Sequence, residues 1–269
     1  MNILVTGSSG WLGQTLVPRL ARDGHKVVGL DPEPGATTTV VGSVVDRAMV
    51  RRVIRDEGIT AVVHAAARHK PHIETHDNSE FVAVNVQGTL NLLEEAVAPG
   101  SRVDRFVFTS TTSLMISQEI RDGKAGGAKE AVWIDETMAP LRPRNIYGVT
   151  KLAAEELCRL FNHLHRLPVL VLRTSRFFPE EDDMAHAIVQ SGENTKANEF
   201  LFRRLSVEDA AEAHVVALEK AKEIGFDTFI VSAPTPFTRE DCHELIADAP
   251  SVVARLFPEY RRLYERRGW

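Results

Sequence analysis

Three glycines, Gly7, Gly10 and Gly13, follow the apolar run Asn2 to Val5 at the turn into the helical stretch Leu12–Arg22, and they narrow the choice of fold more than any other feature. A short apolar run of this kind reads as a buried parallel strand. Glycines at this spacing let the backbone turn tightly, approach a pyrophosphate closely and pack the helix on the sheet. The helix N-terminus then offers free N–H groups and the positive end of its dipole. Alone, the triplet also fits a plain strand-turn-helix corner. The next apolar segment, Lys26 to Leu30, reads as a second strand and ends in Asp31, at the spacing expected for a carboxylate that accepts hydrogen bonds from a ribose diol.

Strands and helices alternate along the rest of the chain, with no repeat and no low-complexity linker. Strands are predicted at Ile3–Thr6, Val27–Asp31, Thr39–Val41, Ala61–Ala65, Arg105–Ser110, Val169–Thr174 and Thr228–Ser232. Helices are predicted at Leu12–Arg22, Arg47–Glu57, Ser79–Val97, Tyr147–His165 and Val207–Ala221. Such alternation implies an α/β fold: a Rossmann-type, doubly wound parallel sheet with helices on both faces and right-handed crossovers. Ligands then collect at the carboxyl ends of the strands, where Gly7, Asp31, His64 to Ala67, Ser110, Thr111 and Arg173 to Phe178 fall. A chain of 269 residues can bury a large core in one such domain and carry a small lobe besides. The expected division is a dinucleotide-binding domain over 1–175, with contributions from about 205–235, and a small C-terminal substrate-binding lobe over 176–269.

Tyr147 and Lys151 are four residues apart on a predicted helix and therefore share a face. A lysine ammonium beside the phenol favours its ionised form. Bringing a tyrosine from a pKa of about 10 to near 7 takes roughly 4 kcal/mol, which an adjacent cation in a partly dry site supplies. The pair is expected to move protons at neutral pH.

The net charge of −5 gives no reason to expect nucleic acid or an anionic membrane as partner. No stretch of about 18 apolar residues is present, and Met1 is followed almost at once by the first strand, so a soluble, cytoplasmic protein is expected. Cys158 and Cys242 are too few for a disulfide framework, and Cys158 reads as a buried free thiol.

The chain resembles the extended short-chain dehydrogenases/reductases of the NAD-dependent epimerase/dehydratase family. The resemblance rests on the run Thr6 to Gly13, on Asp31, on His64 to Ala67, on Asn85 with Gly88, Thr89, Leu92 and Leu93, on Thr109 to Ser113, on Tyr147 to Lys151, and on Arg173 ahead of Phe178 and Pro179. It implies NAD as cofactor, held by Gly7, Ser9, Gly10, Trp11, Leu12 and Gly13 at the phosphates, by Asp31 at the ribose, and by Ser43 and Val44 near the adenine. Ala65, Ala66, Ala67, Asn85, Ser110, Tyr147, Lys151 and Arg173 complete the implied cofactor set. Tyr147 becomes the general acid/base, Lys151 its helper and ligand of the nicotinamide ribose, and Thr111 the hydroxyl that holds the substrate oxygen. Thr112, Arg176 and Phe177 are expected on the substrate side. The run Thr109 to Ser113 offers five hydroxyls, so its register stays open, and turn formation is its plainer role. Asn85 falls inside a predicted helix, where an amide is mildly unfavourable, so its side chain must be repaid by a fixed partner.

Other conspicuous residues carry less. His72 and His76 have helical metal-ligand spacing, but no signature completes a site, and a polar substrate-facing loop is expected there instead of a metal. The acidic run Glu180 to Asp183 reads as a solvated helix start, and Ser206 with Asp209 as a helix cap. Three departures from the family bear on the substrate. Gly42 is followed by Ser43 where relatives place an aspartate for the adenine amine; Leu114-Met115 replaces a Tyr-Gly; and the segment from Phe178 to Val207 is short, as is the chain, which stops at Trp269 in a basic helical tail. The substrate lobe is small, so either the substrate is small or the natural product of the gene is expected to continue beyond this chain.

Three readings result: a nucleotide-sugar epimerase or dehydratase that recycles NAD, a net oxidoreductase on a free sugar, uronate or small carbonyl compound, and a non-catalytic NAD sensor. A homodimer is expected through the helices Ser79–Val97 and Tyr147–His165, whose apolar residues (Phe81, Val84, Leu92 and Leu93 on one; Leu152, Leu157, Leu160, Phe161 and Leu164 on the other) exceed what one sheet-facing stripe needs.

Overall fold

Strands form where β-branched and other apolar residues run together: β1 Asn2–Thr6, β2 Lys26–Asp31, β3 Val40–Val41, β4 Ala61–His64, β5 Phe106–Thr111, β6 Val169–Thr174 and β7 Phe226–Val231. They make one all-parallel sheet in the order β3-β2-β1-β4-β5-β6-β7. The order reverses beside β1, and that reversal opens the ligand crevice of a doubly wound sheet. These features belong to a computed structural model, which describes residues 1–177 and 192–269. Phe178, Pro179 and the acidic run Glu180 to Asp183 lie outside the described residues.

Each face of the sheet carries its own core. One, around Leu4, Leu30, Val62, Phe106, Phe108 and Val171, is closed by the helices Arg47–Asp56, Gly88–Ala96 and Ile146–His165. The other, around Ile3, Val5, Val63, Val107 and Leu172, is closed by Trp11–Arg22 and Val207–Ile224. Caps set the helix starts: Asn145 accepts from the Gly148 N–H, Asp46 from Met49 and Ser206 from Asp209, the last as its spacing implies. Among the described residues no helix is long and apolar enough to cross a membrane.

Three local departures have physical causes. The predicted strand at Thr39–Val41 shrinks to Val40–Val41, because Thr39 instead bonds Gly29 through its N–H (3.0 Å) and its hydroxyl. The predicted helix Ser79–Val97 is broken into Asn78–Phe81 and Gly88–Ala96 by a π-helical turn, Val82–Gln87, that widens around Asn85. Such turns arise where a side chain has another partner to meet. The helices Gln118–Asp122, Gly192–Glu199 and Cys242–Leu256 carry no strong sequence signal; the last contains Pro250 and bends at Asp248.

Candidate active site

The glycine-rich turn after β1 is shaped by close backbone approach. Gly7 lies at φ +75°, and a Cβ there would stand 2.7 Å from the Ala66 nitrogen; at Gly13 it would stand 2.4 Å from the carbonyl oxygens of Gly7 and Ser8. Only glycine fits either place. The turn opens onto the first helix beside Asp31, whose carboxylate accepts the Ser9 N–H (3.0 Å) on one oxygen and the Glu33 N–H (2.9 Å) on the other. Both oxygens keep lone pairs for a diol.

One cleft of about 1440 Å³ runs along the carboxyl edge of the sheet. Gly7, Ser9, Gly10, Trp11, Leu12 and Asp31 line one end together with Ser43, Val44 and Ala65 to Ala67. Ser110, Thr111, Thr112, Tyr147 and Lys151 line its middle, and Arg176 and Phe177 the approach to the lobe. Gly13, Asn85 and Arg173 stand behind this wall. Gly13 packs the helix on the turn. Asn85 binds both backbone groups of Arg68, accepting its N–H (2.8 Å) and donating to its carbonyl (2.9 Å), and also donates to the Thr150 hydroxyl (3.0 Å). The loop after β4 is thereby tied to the helix that carries Tyr147. That bridge is the partner an amide at position 85 requires.

Arg173 departs most from expectation. It is buried, and its guanidinium grips Glu155 (Nη2 to Oε2 2.7 Å, Nε to Oε1 3.1 Å), while the Ser110 hydroxyl donates to the same carboxylate at 2.5 Å. Nε and Nη2 of Arg173 and the hydroxyl proton of Ser110 are therefore committed to the internal acid Glu155. Glu155 escaped the sequence reading although its signal was available, since it lies one helical turn beyond Lys151 on the same face.

The expected electrostatics of Tyr147 and Lys151 also need correction. Both are buried on Ile146–His165. Burial pushes the Tyr147 phenol up to about 12, against which a hydrogen bond with Thr111 pulls the other way. Burial likewise pulls the Lys151 ammonium down to about 7, and its Nζ rests 3.9 Å from the centre of the Phe108 ring. Desolvation outweighs the pairwise charge effect that the i, i+4 spacing suggested. Thr111 is the hydroxyl of the run that meets Tyr147, and it also accepts the Ser113 N–H at 3.1 Å.

Buried histidines serve as bridges. His64 joins Thr6 (2.7 Å) and Thr89 (2.9 Å), and burial, then the nearby Lys151 charge, hold it neutral far below its usual range. His69 and His72 line the cleft, and no group of His, Cys, Asp or Glu fit to hold a metal occurs among the described residues. At the lobe end, Arg176 pairs with Glu199 (3.4 Å), which also holds Arg203 and Arg204. Beyond it the wall is mainly apolar, with Ile116, Trp133, Phe202, Phe237, Leu245 and Tyr260.

A profile of the NAD dependent epimerase/dehydratase family matches residues 3–231. The chain belongs to this family. Among curated proteins it is 32% identical over 193 residues to the low-salt glycan biosynthesis protein Agl12 of Haloferax volcanii, covering 66% of this chain and 57% of that one. It is 27% identical over 248 residues to a putative UDP-glucose 4-epimerase of Methanocaldococcus jannaschii, covering 82% and 75%. The chain thus spans little more than half of the first relative. A solved short-chain dehydrogenase/reductase superfamily protein from Agrobacterium tumefaciens with bound NAD superposes with a TM-score of 0.68 at 27% identity, over 94% of this chain and 82% of that one.

Proposed function

We propose that the protein is an NAD-dependent enzyme acting on a nucleotide-linked sugar by epimerisation or dehydration. The observation that carries this reading is the placement of Tyr147, Thr111 and Lys151 in the same cleft as the glycine turn and Asp31. The residues fit the cofactor: the cradle at Gly7 excludes a side chain, and Asp31 faces the cleft with acceptor capacity left. NAD, when bound, accepts and returns a hydride. Gly7, Ser9, Gly10, Trp11 and Leu12 would surround its pyrophosphate, Asp31 its adenine ribose, Ser43, Val44 and Ala65 to Ala67 the adenine side, and Lys151 the nicotinamide ribose. Tyr147 exchanges a proton with the substrate hydroxyl, and Thr111 orients that oxygen and the phenol together. Arg176, Phe177 and Thr112 would form the substrate side, with Phe202, Phe237 and Leu245 of the lobe beside them.

The mainly apolar wall of the lobe favours a second reading, net oxidation or reduction of a smaller compound. A cytoplasmic location belongs to the proposal.

The cofactor site is tested by titration. NAD is expected to bind at least about tenfold more tightly than NADP, because a 2′-phosphate would meet the Asp31 carboxylate with Pro32, Glu33 and Pro34 following and no arginine to neutralise it. Equal affinities would remove Asp31 from the ribose site. On the substrate side, Arg176→Ala is expected to raise KM for an anionic substrate about tenfold or more and to spare NAD affinity, the loss of one charged contact. An unchanged KM assigns Arg176 to the internal Glu199 cluster alone.

Assembly is part of the same proposal. Phe81, Leu92, Leu93 and Phe161 are used within the monomer core, but Val82 and Val149 stay 48% exposed, Leu160 46% and Leu164 59%. Pairing of these helix faces across a two-fold axis would cover them. Light scattering is expected to give a dimer, and a concentration-independent monomer would exclude it.

A further inference from the structure

Behind the cleft lies a buried polar group that the proposed chemistry does not itself use. Glu155, Arg173 and Ser110 are each at most 5% exposed and join three elements: the Ile146–His165 helix, β6 and β5. Arg173 stands opposite Ser110 in the sheet register, and Thr174 opposite Thr111. The Thr174 hydroxyl donates to the Ser110 carbonyl at 3.0 Å, so strands β5 and β6 are pinned together at their carboxyl ends. The Glu155 carboxylate then fastens this pinned edge to the helix, through Ser110 at 2.5 Å and Arg173 at 2.7 Å.

A buried ion pair is weak as a source of stability, because removing two charges from water offsets most of their attraction. Its position here suggests a different use. Counting back along the helix from Glu155, Lys151 lies one turn away and Tyr147 two; counting forward along β5 from Ser110, Thr111 is next. We propose that Glu155, clamped by Arg173, is a positioning residue of the active site: it sets the distance between the Thr111 strand end and the Tyr147 helix, and it keeps an anion beside the Lys151 ammonium. This inference rests on Tyr147, Lys151 and Thr111 being the catalytic group.

The charges around Lys151 can be taken element by element. On its own helix are Tyr147, Cys158 and Glu155; on β5 are the Phe108 ring and Ser110; on β4 is His64; on β6 is Arg173. Cys158 is driven far above its usual range by burial and stays a thiol, and His64 stays neutral. Tyr147 keeps its proton near neutral pH. Glu155 is therefore the anion that opposes the loss of charge on Lys151 through burial. Removing it lowers the pH at which Lys151 gives up its proton, from about 7 downward.

The test follows the ε-carbon NMR resonance of Lys151 through a pH titration, with Lys151→Met for assignment. No cofactor or substrate is needed, so this readout stands whether or not a sugar substrate is found. In Glu155→Gln the midpoint is expected to fall by about one pH unit or more, which takes the charged fraction at pH 7 from about half to about a tenth. Glu155→Gln leaves Arg173 buried without its counter-charge and can fail to fold, so Glu155→Leu combined with Arg173→Met removes both charges at once, a replacement buried ion pairs often tolerate. That double variant is expected to melt near the parent temperature, to show a smaller fall in midpoint than Glu155→Gln because the Arg173 cation leaves with the anion, and to lose kcat about tenfold or more, with NAD affinity little changed. A folded Glu155→Gln that titrates like the parent, or a double variant with full kcat, would overturn the proposal.

Discussion

Replacing Tyr147 by phenylalanine is expected to abolish turnover and to leave NAD affinity within about threefold of the parent, because only the oxygen proposed to transfer the proton is removed. The ring is buried and keeps its packing, and Thr111 loses one hydrogen-bond partner but retains the Ser113 N–H. Lys151→Met behaves differently. Its ammonium lies at the nicotinamide end of the proposed site, so both cofactor affinity and turnover fall. Steady-state kinetics combined with calorimetric NAD titration separates the two patterns. Substantial activity in Tyr147→Phe would transfer the acid/base role to another hydroxyl in the Thr109 to Ser113 run.

The second large effect is expected at Gly13. A Cβ added there meets the Gly7 and Ser8 carbonyl oxygens at 2.4 Å and the Ser8 carbonyl carbon at 2.6 Å, all of them backbone atoms with no rotamer to relieve the clash. Overpacking costs about 1–3 kcal/mol where side chains yield, and more where they cannot. Gly13→Ala should therefore lower the melting temperature by at least about 5 °C and weaken NAD at least about tenfold, since the turn proposed to face the pyrophosphate must deform. Gly10→Ala, whose Cβ would meet the nearest atom at 3.3 Å, should be milder. Equal melting temperatures for Gly13→Ala and the parent would show that the turn relaxes.

The places of the glycine turn and Asp31 could be read from the chain because they follow from local geometry: a positive φ, a close helix approach and a carboxylate at a strand end. The Rossmann-type sheet was legible for a similar reason, since alternating apolar runs and amphipathic stretches leave few topologies open. The electrostatics of Tyr147 and Lys151 were not. Spacing places the pair on one face, but the direction of each pKa depends on how much water the fold removes, and burial is a tertiary property. Arg173 could be read from the sequence as a ligand contact or as a structural residue at the strand end, and its partner, Glu155, comes from a different element 18 residues earlier. Asn85 shows the converse, because an amide inside a helix signals that some fixed partner must exist, and Arg68 and Thr150 supply it. The apolar part of the cleft wall came from Trp133, Phe202, Phe237 and Leu245, which belong to segments without a clear period of their own.

The most direct test is a panel of nucleotide sugars, free sugars and small carbonyl compounds incubated with the protein and NAD, each followed at once for NADH absorbance and for isomerised or dehydrated product. Conversion of at least one nucleotide sugar without net NADH, abolished by Tyr147→Phe, is the predicted result. A protein that binds NAD yet yields neither product nor NADH with any compound would contradict it.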